Sequence, residues 1–287
     1  MGRFGSISTA MVTPFDVNGQ VDLEKTTALV EYLLNNGSDS LVVAGTTGES
    51  PTLSKIEKAL LFEHVVKVVN KRVPVIAGTG SNNTAESIIL TQMAESAGVD
   101  AVMLVAPYYN KPSQEGIYRH FTAVAEATEL PVMIYNVPGR TVTNIAPSTV
   151  IRLSKISNIV AVKEASGDLD AMVEIIAGTA DDFDLYSGDD GLTLPALSIG
   201  AAGVVSVASH VIGLEMQVMI SNCFAGEFKK AALLHQQLLP VMKGLFAAPS
   251  PAPVKAVLNA QGIDVGAVRL PLVTLTEEEK EALMKLF

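Results

Sequence analysis

Cysteine is almost absent from this chain. Its 287 residues include one, Cys223, so no intrachain disulfide can form, and the sequence fits a reducing, cytoplasmic setting. Charge is also scarce: Asp, Glu, Lys and Arg make up 17 % of residues, against 48 % apolar ones. That excludes a disordered chain and provides for one large buried core. A charge-poor surface also favours subunit contacts, so a homo-oligomer is expected. Positive charge is the scarcer sign, with 20 Lys and Arg against 30 Asp and Glu and a formal net charge of −10. An acidic protein repels phosphate backbones, and no nucleic-acid partner is expected. Metal-binding spacing is missing: His64, His120, His210 and His235 are scattered, and there is no cysteine pair. Neither a Walker loop nor G-x-S-x-G occurs, and Gly78 to Asn83 lacks the last glycine of a dinucleotide fingerprint. The N-terminal MGRFGSISTAMVTPF has a single basic residue and no long apolar core, so a signal peptide is not expected. Gly191 to Leu214 is free of charge but broken by Pro195 and several glycines. It reads as a buried helix followed by a buried strand, with no membrane span.

The apolar residues fall in a repeating pattern. Short β-branched runs begin near Ile7, Leu41, Val73, Ala101, Pro131, Ile159, Phe183 and Gly203, at spacings of 20 to 34 residues. Each is nearly continuous in apolar character, as strands of a parallel sheet covered on both faces are. Helical segments are predicted between them over Leu23–Asn36, Ser54–Asn70, Thr84–Ala97, Gln114–Thr128, Ala146–Ser154, Asp168–Ala177, Leu192–Ile199 and Val211–Ala225. Ser54 with Glu57 forms a capping-box pattern, and Gly37 and Gly98 are C-terminal stops. Eight alternating units predict an α/β fold, a closed (β/α)₈ TIM barrel over residues 1–225. Residues 226–287 turn purely helical, over Glu227–Phe246, Pro251–Gln261 and Thr276–Phe287, and are expected to pack on the barrel as an appended region.

Barrel enzymes place their chemistry at the C-terminal ends of the strands. The second strand runs into Gly45-Thr46-Thr47-Gly48-Glu49-Ser50, the fourth into Pro107-Tyr108-Tyr109-Asn110-Lys111-Pro112, the fifth into Tyr135-Asn136-Val137-Pro138-Gly139-Arg140. The sixth, Ile159-Val160-Ala161-Val162-Lys163-Glu164, ends on a lysine. Lys163 either reaches solvent or points into the barrel mouth, where burial disfavours an ammonium and favours a nucleophilic amine. Tyr135, on the neighbouring strand, either relays protons beside that amine or packs its ring and bonds its hydroxyl in the core. The Gly45–Gly48 turn offers backbone N–H groups and two hydroxyls to a carboxylate. Arg140 either clamps a carboxylate in bidentate fashion or stays solvated.

With those residues in place the sequence is recognisable. GTTGES at Gly45–Ser50, YYNKPSQEG at Tyr108–Gly116, YNVPGRT at Tyr135–Thr141, VKEASGD at Val162–Asp168 and LYSGDD at Leu185–Asp190 occur in that order. They resemble the dihydrodipicolinate synthase family, within the N-acetylneuraminate lyase superfamily of pyruvate-dependent aldolases. The resemblance runs from about Gly5 to the C-terminal helices. It implies a Schiff base between Lys163 and pyruvate, and a proton relay of Tyr135, Thr46 and Tyr109, the last entering from a neighbouring subunit. It places Thr47 on the pyruvate carboxylate, Gly188 and Val205 at the substrate, and Arg140 on the carboxylate of aspartate 4-semialdehyde. It implies no metal and no organic cofactor, a cytoplasmic enzyme, and a tetramer built from two tight dimers. It also implies a lysine regulatory site at Ser50, Lys55, Lys58, Asn82, Glu86 and Tyr108. At Lys55 and Lys58 inhibited relatives commonly carry histidine, so inhibition by lysine is expected to be weak or absent. The alternatives are a sister aldolase acting on a sugar acid and a barrel kept as a binding or structural protein. The YYNKP segment and Arg140 favour the synthase over the first, and the set Lys163, Tyr135, Thr46 and Tyr109 favours it over the second.

Overall fold

The structure is a computed structural model, and it describes residues 2–287. The strands are β1 (Ile7–Ala10), β2 (Ser40–Val43), β3 (Val75–Gly78), β4 (Ala101–Val105), β5 (Val132–Asn136), β6 (Ile159–Glu164), β7 (Asp184–Ser187) and β8 (Gly203–Ser206). Each pairs in parallel with the next, and β1 pairs with β8, which closes the predicted barrel. β3 and β5 begin just after Pro74 and Pro131, later than the apolar runs suggest, because proline has no N–H to give to a ladder.

The helices are α1 (Leu23–Asn35), α2 (Lys55–Val69), α3 (Thr84–Ser96), α4 (Gln114–Ala125), α5 (Pro138–Thr141), α6 (Pro147–Leu153), α7 (Leu169–Gly178), α8 (Thr193–Ser198) and α9 (Ser209–Phe224). They are followed by α10 (Phe228–Gly244), α11 (Ala252–Ala260) and α12 (Glu277–Met284). The capping box at Ser54 and Glu57 forms as predicted, and Gly37 and Gly98 take positive φ after α1 and α3. α4 ends three residues before the predicted Thr128, and α9 starts two residues before Val211 and kinks at Ile212. The one-turn α5 and the 3₁₀ turns Ser50–Thr52 and Asp190–Leu192 escape a periodicity reading because each is too short to show a period. The charge-free stretch resolves into α8, β8 and the start of α9. Among the described residues no helix is long and apolar enough to cross a membrane.

Two cores follow from strand parity. Side chains alternate along a strand, so Val102, Leu104, Val132, Ile134 and Val162 face the helices, with Leu33, Phe62 and Phe121 in the same core. Met103, Met133, Tyr135, Ala161 and Val205 fill the barrel interior. The C-terminal region is tied down by more than apolar contact. Lys255 of α11 reaches Glu49 at 2.7 Å, with both side chains 2 % exposed or less. Arg269 donates its backbone N–H to Glu49 Oε2 at 2.8 Å, its Nε to Gly19 O and one terminal nitrogen to Thr52 O, and pairs with Glu57. The GTTGES loop is therefore held from the far end of the chain.

Candidate active site

Parity also aims the strand ends. Tyr135 and Lys163 are register partners across the β5–β6 seam, and both side chains point into the barrel mouth, 4 % and 5 % exposed. Lys163 Nζ lies 4.1 Å from the centroid of the Tyr135 ring. Of the two placements open to Lys163, the structure shows the inward one. Gly188, after β7, leaves room for its alkyl chain: a Cβ there would sit 3.0 Å from Lys163 Cε and 2.6 Å from the Ala165 methyl.

A cavity of about 590 Å³ opens over this pair. Thr46, Thr47, Tyr135, Arg140, Lys163, Gly188 and Val205 all line it, so the structure brings these predicted residues together. Arg140 is exposed and enters no ion pair among the described residues. Tyr109 does not line the cavity; it sits on the β4 loop at φ +74°, 89 % exposed. The far wall was not anticipated: α10 supplies Leu239, Met242 and Lys243, and Phe246 follows. Nothing in the amphipathic pattern of that helix distinguishes a cavity wall from a packing face.

A second cavity of about 600 Å³ shares Thr46, Tyr135, Val137 and Arg140 with the first. Ser50, Lys58, Asn82, Glu86 and Tyr108 line it. Lys55 stands at its edge and pairs with Glu86 at 3.1 Å. Lys58 is buried, and that burial holds its ammonium below the ordinary lysine range, with Lys55 adding to the shift and Glu86 opposing it. Asn82 is engaged, donating its amide to Tyr108 O at 3.1 Å.

Several buried polar groups support the strand ends. The Asp190 carboxylate accepts from the Ser206 hydroxyl and from the N–H groups of Val207 at 3.1 Å and Ala208 at 2.9 Å. Burial nevertheless pushes its carboxyl up. His210 accepts from Val12 N at Nε2, 3.1 Å, and its Nδ1–H meets Val207 O at 2.8 Å. Burial holds its imidazole at about 4, so it is a neutral strut between β1 and β8. Glu164, one residue past Lys163, points outward into the seam and is 1 % exposed. Its carboxylate accepts from Asn136 Nδ2 at 2.9 Å and from Ser166 N at 2.7 Å. Burial pushes its carboxyl above the usual range, against the pull of those donors. A second charged residue closing a strand apolar up to Lys163 was the available signal for this residue, and it lay inside a motif without being singled out.

Residues 3–287 match the model of the dihydrodipicolinate synthetase family. The chain belongs to that family. The 4-hydroxy-tetrahydrodipicolinate synthase of Bacillus subtilis strain 168 is 66 % identical over 282 residues, which cover 98 % of this chain and 97 % of the relative. A crystal structure of a dihydrodipicolinate synthase from Bacillus anthracis superposes with a TM-score of 0.98 at 65 % identity, covering 100 % of this chain and 98 % of that one. A family structure from Cyanidioschyzon merolae with lysine bound superposes with a TM-score of 0.97 at 46 % identity, covering 100 % and 98 %. The eight-stranded barrel with its C-terminal helices is thus the family's architecture.

Proposed function

We propose that this chain condenses pyruvate with L-aspartate 4-semialdehyde through a Schiff base on Lys163, giving 4-hydroxy-tetrahydrodipicolinate in the diaminopimelate route to lysine. One observation carries the reading: an inward lysine amine, 4.1 Å from the Tyr135 ring, beneath a cavity that also holds Thr46, Thr47 and Arg140. The neutral amine of Lys163 adds to the pyruvate ketone, and the carbinolamine loses water to leave an iminium. Loss of a proton from the pyruvate methyl gives the enamine, with the iminium nitrogen taking up the electron pair. The enamine carbon then attacks the aldehyde, whose oxygen is protonated. The substrate's own amine finally displaces Lys163 and closes the ring. No electrons are gained or lost overall, and one water leaves. Tyr135, Thr46 and Tyr109 are assigned to moving protons, Thr47 to the pyruvate carboxylate, and Gly188 and Val205 to the walls that hold it. Arg140, free of an internal partner, is assigned to the semialdehyde carboxylate.

The same reading makes the protein a cytoplasmic homotetramer of two tight dimers. Tyr109 supports this: a relay residue that is 89 % exposed on its own chain needs a neighbour's site to serve. Residues 1–225 are taken as the catalytic barrel and 226–287 as its helical companion. The second cavity is assigned to the lysine regulatory site that the resemblance implies, but Lys55 already holds Glu86 and a second cation, Lys58, is buried beside it. An incoming lysine ammonium meets like charge there, so inhibition is assigned as weak or absent. Turnover of pyruvate against a panel of aldehydes tests the reaction. The proposal requires aspartate 4-semialdehyde to exceed sugar aldehydes such as glyceraldehyde and N-acetylmannosamine in kcat/KM, and the reverse order would make this a sugar-acid aldolase.

A further inference from the structure

The residues next to the reactive pair form a second pair on the other face of the same seam. Tyr135 and Lys163 are register partners pointing inward, and Asn136 and Glu164 are the next register partners, pointing outward. The outward pair is fully buried, Asn136 1 % and Glu164 1 % exposed. Its hydrogen bonds run in one direction. Asn136 Nδ2 donates to Glu164, at Oε2 (2.9 Å) and Oε1 (3.2 Å), and to Asn144 Oδ1 at 2.8 Å, while Asn136 Oδ1 accepts from Ile145 N at 3.0 Å. Glu164 Oε1 accepts from Ser166 N at 2.7 Å. No ion pair of Glu164 exists among the described residues, so neutral donors from Asn136 and Ser166 hold this buried carboxylate.

The consequence lies in what these bonds enclose. Arg140 sits on the segment that leaves β5 at Asn136 and returns at Asn144 and Ile145, and the side chain of Asn136, where the segment starts, holds its far end. Asn136 itself can face only one way, because the two N–H bonds of its amide nitrogen are committed to Glu164 and Asn144 and its oxygen to Ile145. We propose that Glu164 is a positioning residue: by fixing the Asn136 amide it pins the 138–146 segment and so sets where Arg140 stands over Lys163. Glu164 touches no reacting atom in this account. The inference rests on the assignment of Arg140 to the second substrate for its kinetic readout, but not for its structural one.

A donor–acceptor swap tests it. In Glu164→Gln, Oε1 still serves Ser166 and keeps its longer 3.2 Å contact with Asn136 Nδ2, but an amide nitrogen replaces the acceptor that Asn136 Nδ2 meets at 2.9 Å. Turning Asn136 over only moves the conflict to Ile145 N. In Asn136→Asp the two carboxylates confront each other. In the double variant the new amide of residue 164 donates to the new carboxylate of residue 136, Ile145 N keeps an acceptor, and exposed Asn144 turns its amide to donate. Every group is paired again with no change in size. Hydrogen exchange of residues 138–146 and steady-state kinetics are measured on the wild type, both singles and the double.

Either single is expected to raise exchange in 138–146 and to raise KM for the semialdehyde about tenfold, the effect of one buried hydrogen bond to a charged group lost. Pyruvate trapping on Lys163 should change much less, and the double should return to within about threefold of the wild type on both readouts. Singles that leave exchange of 138–146 unchanged would overturn the proposal. So would a double as damaged as the singles, or losses spread equally over pyruvate trapping and KM. If exchange follows the swap but wild-type protein does not turn over the semialdehyde, the positioning role stands and the substrate assignment fails.

Discussion

A methyl group on Gly188 would stand 3.0 Å from Cε of Lys163, so Lys163 occupies space that any other residue at 188 would claim. Gly188→Ala must therefore displace the lysine chain or the Ala165 methyl, 2.6 Å from the new carbon. A shift of about 1 Å in a reacting group costs up to about a hundredfold in rate. The variant is expected to fold, to lose about 1–3 kcal/mol of stability from overpacking, and to trap pyruvate at least about tenfold more slowly. Single-turnover trapping measures this, and an unchanged rate would mean that Lys163 has room the structure does not show.

The pair of Lys255 and Glu49 predicts a different failure. Burial holds the Lys255 ammonium at about 8, and Glu49 opposes that shift. Lys255→Met leaves Glu49 charged, buried and without its cation, which costs on the order of 3–5 kcal/mol. Lys255→Met with Glu49→Gln removes both charges and should recover a large part of that loss. Because Glu49 follows Thr46 and Thr47 in the same loop, the single should also raise KM for pyruvate. Urea denaturation and initial rates check both; a single no less stable than the double would show that the pair is solvated.

Two buried histidines weigh on the acid limb of stability. Burial lowers the folded-state imidazole of His210 from 6.5 to about 4, and that of His120 likewise to about 4. At these two sites the unfolded chain binds more protons than the folded one between those values, so both take stability away as pH drops from about 6.5 to about 4. Above that window the contribution is fully present. Thermal melts of the wild type should show a declining Tm across it. His210→Gln, which cannot titrate, should have a lower Tm at neutral pH and a shallower decline. Parallel slopes for the two proteins would remove His210 from the explanation.

Lysine sensitivity should be recoverable. Lys55→His with Lys58→His frees Glu86 from its internal partner and replaces two cations with rings that are neutral near pH 7. The wild type is expected to be half-inhibited only above about 1 mM L-lysine, and the double variant at least about tenfold below the wild-type value. Initial rates titrated with L-lysine decide it, and equal curves for the two proteins would show that the two cations are not what excludes the ligand.

How much of this could be read in advance depended on whether a local pattern existed. The barrel was legible because strands buried on both faces leave continuous apolar runs, and Gly37, Gly98 and Ser54 punctuate them. Lys163 was legible as a strand-end lysine, but its direction was not, since inward or outward turns on a one-residue register that the sequence alone leaves open. Register also hid the pairing of Asn136 with Glu164, and long range hid Lys255 with Glu49. The wall from α10 had no signal at all, because Met242 and Leu239 look like ordinary core residues in an amphipathic helix.

The central claim is that Lys163 is the nucleophile. Borohydride reduction in the presence of pyruvate, followed by peptide mass spectrometry, tests it on the unmodified protein. The account predicts one lactyl-sized adduct per chain on the peptide carrying Lys163, none without pyruvate, and none in a folded Lys163→Ala protein that has lost nearly all turnover. An adduct on a different lysine, or full turnover with no adduct on Lys163, would contradict it.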